Sequence, residues 1–194
     1  MLVVVESLSA ERLGAASAAV AAWMEGGHTA PLMLTTEEWR GSADIFAMEF
    51  ADILERHRIL HGAFPSEIRV EHANLRLQLE REAMVAVLQL RRGALASGRD
   101  GKALLQLLEG GSSTMLALFR AVVRLGGEAP PKDDGDLATA VAKAAGCDPA
   151  PFVRVVQHRR GTVKLKPADA AVVVSGCLDG LQRVVRYLDQ FKGR

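Results

Sequence analysis

Two carboxylates in the segment "MEFADI" are the first residues in this sequence whose spacing suggests chemistry. Glu49 and Asp52 stand three positions apart. On a strand they would point to opposite faces, whereas on a helix they would share one face. A magnesium-type site needs two or three converging carboxylate oxygens. Because this segment supplies two carboxylates at most, we expect Glu49 and Asp52 to be exposed or paired with Arg56 and Arg58 rather than to bind a metal.

A basic stretch, "RVVQHRRGTVKLK", is the second candidate. It supplies four candidate phosphate-binding residues: Arg154, Arg159, Arg160 and Lys164. Such cations can contact phosphate, but no aromatic residue lies among them to stack on bases. The stretch is more typical of a solvated helix end, where cations are favourable. We therefore expect no nucleic-acid partner, and we expect His158 in the same stretch to be a surface residue.

The histidines favour neither a zinc site nor strong acid–base chemistry. No HExxH spacing occurs. Arg56 precedes His61 by five positions, a spacing that some helical ribonucleases of the HEPN group use. In those enzymes both residues lie on a bundle helix, whereas here they precede a predicted break, so a HEPN-like ribonuclease is the weaker alternative. Neither Cys147 nor Cys177 has a neighbouring histidine that would activate it.

Composition limits the classes of protein that this chain can belong to. It has 194 residues, of which 49% are hydrophobic, and a formal net charge of +1. A chain of this length and composition can bury a core. Two distant cysteines give no disulfide framework and indicate a reducing cytoplasm. No secretory leader is recognisable, and charges interrupt every apolar run before the ~20 residues that a membrane span needs.

The first third of the chain predicts a β-α-β unit. Leu2–Val5 is apolar on both faces, as strands inside a sheet are. Ser9 can cap a helix that ends at Gly26, and "PLMLTT" then predicts a second strand. Thr35 and Glu38 have capping-box spacing. The order β-α-β favours a parallel pair with a right-handed crossover. The next segment, "IFAMEFADIL", fits a strand or a helix equally well.

The segment "GAFPSE" marks a break, which places a partial α/β domain at 1–62 and a helical bundle at 63–194. In the long helix that follows, Leu75, Leu79, Ala83, Val87 and Leu90 form an apolar stripe. Three further residues, Leu77, Met84 and Leu88, are expected to widen that stripe toward the interior. The sequence thus predicts a mainly α, α+β fold in which a small, truncated β-α-β sheet precedes a helical bundle.

The rest of the chain predicts five helices. Gly110 and Gly111 are expected to end the first, and Ser112 or Ser113 to cap the second. Asp136 is expected to precede a third, short helix. Pro149 and Pro167 are start signals for the last two.

The order of these elements resembles bacterial nucleotidyltransferase-like proteins of the polymerase-β superfamily, which have a helical domain like that of kanamycin nucleotidyltransferase. The segments that carry the resemblance are "LVVVES", the alanine-rich helix, "PLMLTTEEW" and "EFADILERHRILHG". Such proteins commonly have an acidic strand that ends in a Leu-Tyr-Gly or similar turn, and Leu60, His61 and Gly62 occupy that turn here. The resemblance implies a small mixed sheet, nucleotide and Mg²⁺ as ligands, and a helical second domain.

The sequence departs from that family at its catalytic motif. The family places a Gly-Ser turn and an Asp-x-Asp pair directly before the strand that begins here at Leu2. The turn holds phosphates, and the aspartates bind the metal ions. A third acid of the family lies on a later strand, and Glu49 or Asp52 would correspond to it. With one such carboxylate, we expect no phosphoryl transfer by this chain, and Mg²⁺ and nucleotide only if the motif lies upstream. Because the motif is missing before Leu2, we expect the sheet to be truncated at its catalytic edge.

A second hypothesis needs no catalysis. The chain would be a helical interaction module whose open sheet edge is covered by a partner or by a second copy. Pairing of Leu2–Val5 across a two-fold axis predicts a homodimer. A nucleotide or another small molecule is the ligand expected under the first hypothesis, and neither hypothesis involves a membrane.

Overall fold

The computed structural model describes residues 1–64 and 68–191, which contain two strands and eight helices. The strands are β1 (Leu2–Val5) and β2 (Leu32–Thr35). The helices are α1 (Ala10–Glu25), α2 (Thr36–Gly41), α3 (Ala47–Glu55), α4 (His72–Ser97), α5 (Gly101–Leu125), α6 (Asp134–Ala145), α7 (Ala150–Arg159) and α8 (Pro167–Gln190). The expected fold class, mainly α with a small sheet, is confirmed. Pro65, in the predicted break, lies outside the described residues.

The first third forms the predicted β-α-β unit. β1 and β2 are parallel, with Leu2 opposite Leu32 and Val5 opposite Thr35. The Ser9 hydroxyl accepts a hydrogen bond from the backbone N–H of Arg12 and so caps α1. α1 nevertheless buries no residue. One face of the sheet is therefore only half covered, while Leu2, Val4 and Leu34 pack on the side of the aromatic cluster described next.

The ambiguous segment after β2 is helical. Thr35 and Glu38 form the predicted capping box, in which each side chain accepts a hydrogen bond from the other residue's backbone N–H. α3 then places Phe50 against Trp39, with ring centroids 4.2 Å apart. Trp39, Phe50 and Ile68 are buried and form a small core beneath the sheet. The strand interpretation is wrong because a helical turn is what brings Ala47 and Phe50 to buried positions.

The main core lies between α4, α5, α6, α7 and α8, and α3 contributes Ala47 to it. On α4 four members of the predicted stripe are buried, Leu75, Leu79, Ala83 and Val87, and the fifth, Leu90, is half-buried against the core. The expectation for three other α4 residues is wrong, because Leu77, Met84 and Leu88 are exposed. They point away from the core since they lie about half a turn from the buried stripe.

α5 is one helix where the sequence predicted two. It runs through Gly110 and Gly111 without a break, and Ser112 caps nothing but donates a hydrogen bond to the carbonyl oxygen of Glu109 at 2.7 Å. Ten buried α5 residues stabilise the helix on both sides of the glycines. The free energy gained by burying these side chains exceeds the ~1 kcal/mol that each glycine costs relative to alanine.

Two predicted helix starts are confirmed and a third is wrong. Pro149 and Pro167 precede or begin α7 and α8 as expected. α6 is capped by Asp133 and not preceded by Asp136, because the Asp133 carboxylate accepts hydrogen bonds from the backbone N–H groups of Gly135 and Asp136. The sequence DDGD offers three aspartates, and the cap is the first of them.

Across residues 1–64 and 68–191, none of the helices combines the length and the apolarity that crossing a bilayer requires.

Candidate functional site

Asp52 lies in a cluster of charged side chains between α3 and α5. Its Oδ1 accepts hydrogen bonds from Arg124 Nη2 at 2.7 Å and Arg120 Nε at 3.3 Å. Glu55 Oε2 accepts a third bond from Arg124 Nε at 2.6 Å. We call Asp52, Glu55, Arg120 and Arg124 the arginine–carboxylate cluster. The Arg124 side chain is only 11% exposed, so it forms a largely buried fork between two acids on one helix.

This arrangement shows what Asp52 does. The expectation that Asp52 is paired is correct in kind, but its partners are Arg120 and Arg124 rather than Arg56 and Arg58. Arg56 instead donates to the carbonyl oxygen of Pro130 at 3.0 Å. Oδ1 of Asp52 thus accepts from two guanidinium groups. In this arrangement Asp52 joins α3 to the bundle.

Glu49 lies on the same face of α3 but belongs to a different contact. It is exposed, as expected, and its Oε2 accepts a hydrogen bond from the Gln78 amide at 2.9 Å. Gln78 in turn accepts a bond from the backbone N–H of Met48 at 2.8 Å. The two candidate acids therefore have separate partners. Among the described residues, no group of three or more histidine, cysteine or acidic side chains is placed to hold a metal ion.

The four candidate phosphate-binding residues do not form one free basic patch. Arg154 lies 3.4 Å from Asp169, and Arg160 lies 2.5 Å from Asp133 and 3.3 Å from Asp134. The hydrogen bond from Arg160 is the main reason that the pKa of Asp133 lies below its usual value. Arg159 and Lys164 are exposed. Acidic neighbours thus neutralise half of the stretch that was considered for phosphate.

His158 is not the surface residue that we expected. Its side chain is only 15% exposed. Nδ1 accepts a hydrogen bond from the backbone N–H of Leu165 at 3.2 Å, which places the ring proton on Nε2. Nε2 lies 3.0 Å from Glu109 Oε1, within ion-pair distance but without hydrogen-bond alignment. His158 therefore bonds to the segment after α7, through Leu165, and lies against α5. His61, the other candidate histidine, is exposed.

The two thiols are free and poorly activated. Burial raises the pKa of Cys177 to about 12, and partial burial raises the pKa of Cys147. Thiolates are the reactive form, so neither cysteine is prepared for nucleophilic chemistry in the folded chain.

The outward face of α4 is the feature that sequence reasoning assigned wrongly. Leu77, Met84, Leu88 and Leu95 are 69%, 44%, 47% and 83% exposed. At 100° per residue they fall within a sector of about 40°, opposite the buried stripe. We call these four residues the α4 outer stripe. Their spacings of seven, four and seven positions define a second helical stripe in the sequence, but this periodicity alone does not show which stripe is buried.

Arginines border the α4 outer stripe. Arg81, Arg91 and Arg92 are exposed on the same helix, and Arg81 has only a long contact of 3.9 Å with Glu82. Glu80 is already bonded to Arg76 at 2.7 Å. The stripe is therefore an apolar strip with a mainly positive border.

Comparison with protein-family models, with curated proteins and with solved structures finds no match to this chain.

Proposed function

We propose that this chain is a noncatalytic association module and that the α4 outer stripe packs against an amphipathic helix with acidic flanks. The observation that carries the proposal is the alignment of four exposed apolar side chains on one face of a 26-residue helix. Exposed apolar side chains aligned on one helix face are typical of helix-docking surfaces. A helix laid along such a strip contacts it at positions spaced by three, four and seven residues.

The size of the stripe sets the affinity. From Leu77 to Leu95 it extends ~27 Å at 1.5 Å per residue. The exposed parts of the four side chains amount to more than two whole residues, which corresponds to about 4–7 kcal/mol of apolar burial. Association itself costs a comparable amount. The stripe therefore supports a weak, reversible contact that charge pairing must reinforce.

The charge of the border selects the partner. Three exposed arginines lie beside the stripe, so acidic residues at the flanking positions of a docked helix would be attracted. A second copy of this chain would bring Arg81 against Arg92 in an antiparallel pair. We therefore favour a different, acidic partner over the homodimer. Pairing of β1 with a second copy remains a separate prediction, and it is an outcome of the test below.

The experiment uses two synthetic helical peptides with the same leucine stripe, one flanked by glutamate and one by lysine. We expect the glutamate peptide to bind the full chain in fluorescence anisotropy, more weakly at high salt. Leu88→Glu should remove this binding. Val172→Glu is the matched control, because Val172 is 70% exposed on α8 and lies outside the stripe.

Equal binding of both peptides, or unchanged binding by Leu88→Glu, would contradict the proposal. Sedimentation equilibrium of the chain alone tests whether a second copy of the chain binds to the stripe instead. A mass that doubles at high micromolar concentration and returns to that of a monomer in Leu88→Glu would identify a second copy on the stripe. A doubled mass that Leu88→Glu leaves unchanged would favour pairing at β1.

Nucleotide binding by a nucleotidyltransferase-like architecture is a second proposal. The observation that favours it is the β-α-β unit followed by a helical bundle, although the segment "EFADI", an acidic strand in the resemblance, is part of helix α3. Asp52, the acid that would correspond to the family's third carboxylate, is bound to Arg120 and Arg124. We therefore propose binding without phosphoryl transfer. The free thiols agree with the cytoplasm as its location.

Thermal melting with nucleotide and Mg²⁺ tests this second proposal, because a ligand that binds only the folded form raises the melting temperature. A melting temperature that does not change at millimolar ATP and Mg²⁺ would refute it. The HEPN-like ribonuclease stays a prediction. Arg56 and His61 follow the end of α3 instead of lying on a bundle helix, and loss of RNA cleavage in His61→Ala would be its test.

A further inference from the structure

A groove of about 390 Å³ opens between α4, α5, α7 and α8, away from the α4 outer stripe. Its floor consists of buried side chains, among them Met115, Val155, Cys177 and Leu181. Its mouth consists of exposed residues: Gln89, Gln106, Gly110, Gly111 and Thr114. The volume falls within the ~300–1,000 Å³ of small-molecule sites. Four helices thus converge on a concave, mainly apolar space.

Packing does not require a glycine at either of two adjacent positions at the mouth, Gly110 and Gly111. In a helix interior each costs ~0.5–1 kcal/mol relative to alanine. Gly180 and Gly93, in contrast, lie close to neighbouring side chains. A Cβ at Gly180 would lie 2.6 Å from Phe152 Cε2, and one at Gly93 would lie 2.8 Å from Leu107 Cδ2. A Cβ at Gly110 or Gly111 would meet nothing within 4 Å. Their bare backbone faces open space at the groove.

The lining selects the chemistry of an occupant. None of the residues lining this groove is charged. The Gln89 and Gln106 amides and the Thr114 hydroxyl supply both donors and acceptors at the mouth, while the floor is apolar. The Ser112 hydroxyl is bonded to the Glu109 carbonyl oxygen, and the Cys177 thiol is buried. The groove therefore suits a noncovalent, uncharged ligand with an apolar body and a polar edge.

We propose that this groove binds a flat, uncharged aromatic molecule, which lies on the exposed peptide surface of Gly110 and Gly111 and directs its polar edge to Gln89 and Gln106. A side chain at either glycine would occupy the space of the ligand. The glycines would then be retained for the ligand at the expense of helix stability. This proposal is independent of the α4 outer stripe, which lies on another face of α4.

The test uses Nile red, a flat, neutral dye that fluoresces in apolar surroundings, with the full chain. We expect saturable binding with a blue-shifted emission. Gly110→Ala and Gly111→Ala should each weaken binding at least tenfold, while each raises the melting temperature by removing a helix-interior glycine. Gly14→Ala is the matched control, because Gly14 is also a helical glycine with nothing within 4 Å of its Cβ position, and it lies on α1, outside the groove.

The rise in melting temperature shows that the variants fold, so weakened binding cannot be attributed to unfolding. Dye affinity that both alanine variants leave unchanged would overturn the proposal. Dye binding that survives in these variants and disappears in Leu88→Glu would place the probe on the α4 outer stripe and would also overturn it.

Discussion

Gly180→Ala should destabilise the bundle although it replaces a glycine inside a helix. Removing that glycine alone is worth ~1 kcal/mol of helix propensity. The new Cβ would lie 2.6 Å from Phe152 Cε2. Phe152 is fully buried and stands edge-on to Phe119, with ring centroids 5.0 Å apart, so it has little room to move. Overpacking of this kind costs ~1–3 kcal/mol. Because the ring has little room to move, we expect the upper part of that range, ~2–3 kcal/mol, which leaves a net loss of ~1–2 kcal/mol after the gain.

The same substitution at Gly110 should have the opposite sign, because the Cβ there meets nothing within 4 Å. We expect Gly110→Ala to raise the free energy of unfolding by ~1 kcal/mol and Gly180→Ala to lower it by ~1–2 kcal/mol. For a chain of this size each kcal/mol corresponds to ~2–4 °C in melting temperature. The two variants should therefore melt at clearly different temperatures on either side of the wild type.

Urea denaturation followed by far-ultraviolet circular dichroism measures this difference. Phe152→Leu provides the internal check, because a smaller side chain should accept the new methyl group. Gly180→Ala should cost less in the Phe152→Leu background than in the wild type. If Gly180→Ala stabilises as Gly110→Ala does, Phe152 does not press on the α8 backbone and the packing argument fails.

Three further predictions concern charge and thiol reactivity. Arg124→Met should destabilise the chain by ~2 kcal/mol in urea denaturation, since it leaves two carboxylates without their shared cation; a loss no greater than that from Arg120→Met would contradict the fork. The pKa of Asp133 is lowered in the folded chain, so its contribution to stability is complete above the ordinary carboxyl pKa and is lost as the pH falls through the pKa of the folded state. Asp133→Asn should therefore flatten the acid limb of a stability–pH curve. An unchanged acid limb would refute this. Cys177 should react with Ellman's reagent more slowly than Cys147 at pH 8, and both should react at once in urea; equal rates in the folded chain would contradict the burial of Cys177.

Local sequence rules predicted the N-terminal elements well. A cap or a capping box acts within three residues, so Ser9 and the Thr35–Glu38 pair could be identified without knowledge of the rest of the fold. The start of α8 at Pro167 follows a rule of the same kind. The helix continuing past Gly110 could not be predicted in this way, because the glycines break a local preference and distant buried residues restore the helix.

The candidate site depended on long-range contacts and was harder to predict. Asp52 bonds to residues 68 and 72 positions away, whereas sequence reasoning considered only the nearby arginines. On α4 the periodicity contained two apolar stripes, and only one could face the interior. The sequence does not say which apolar positions a fold leaves uncovered, so Leu77, Met84 and Leu88 were placed in the core.

The continuity of α5 connects two distant parts of the fold. The helix extends for ~37 Å at 1.5 Å per residue, and no joint interrupts it. Near its middle Gly110 and Gly111 border the groove, and in its last turn Arg124 bonds to Asp52 and Glu55 of α3. One continuous helix therefore links the α3 contact to the groove, and the two lie ~20 Å apart along its axis.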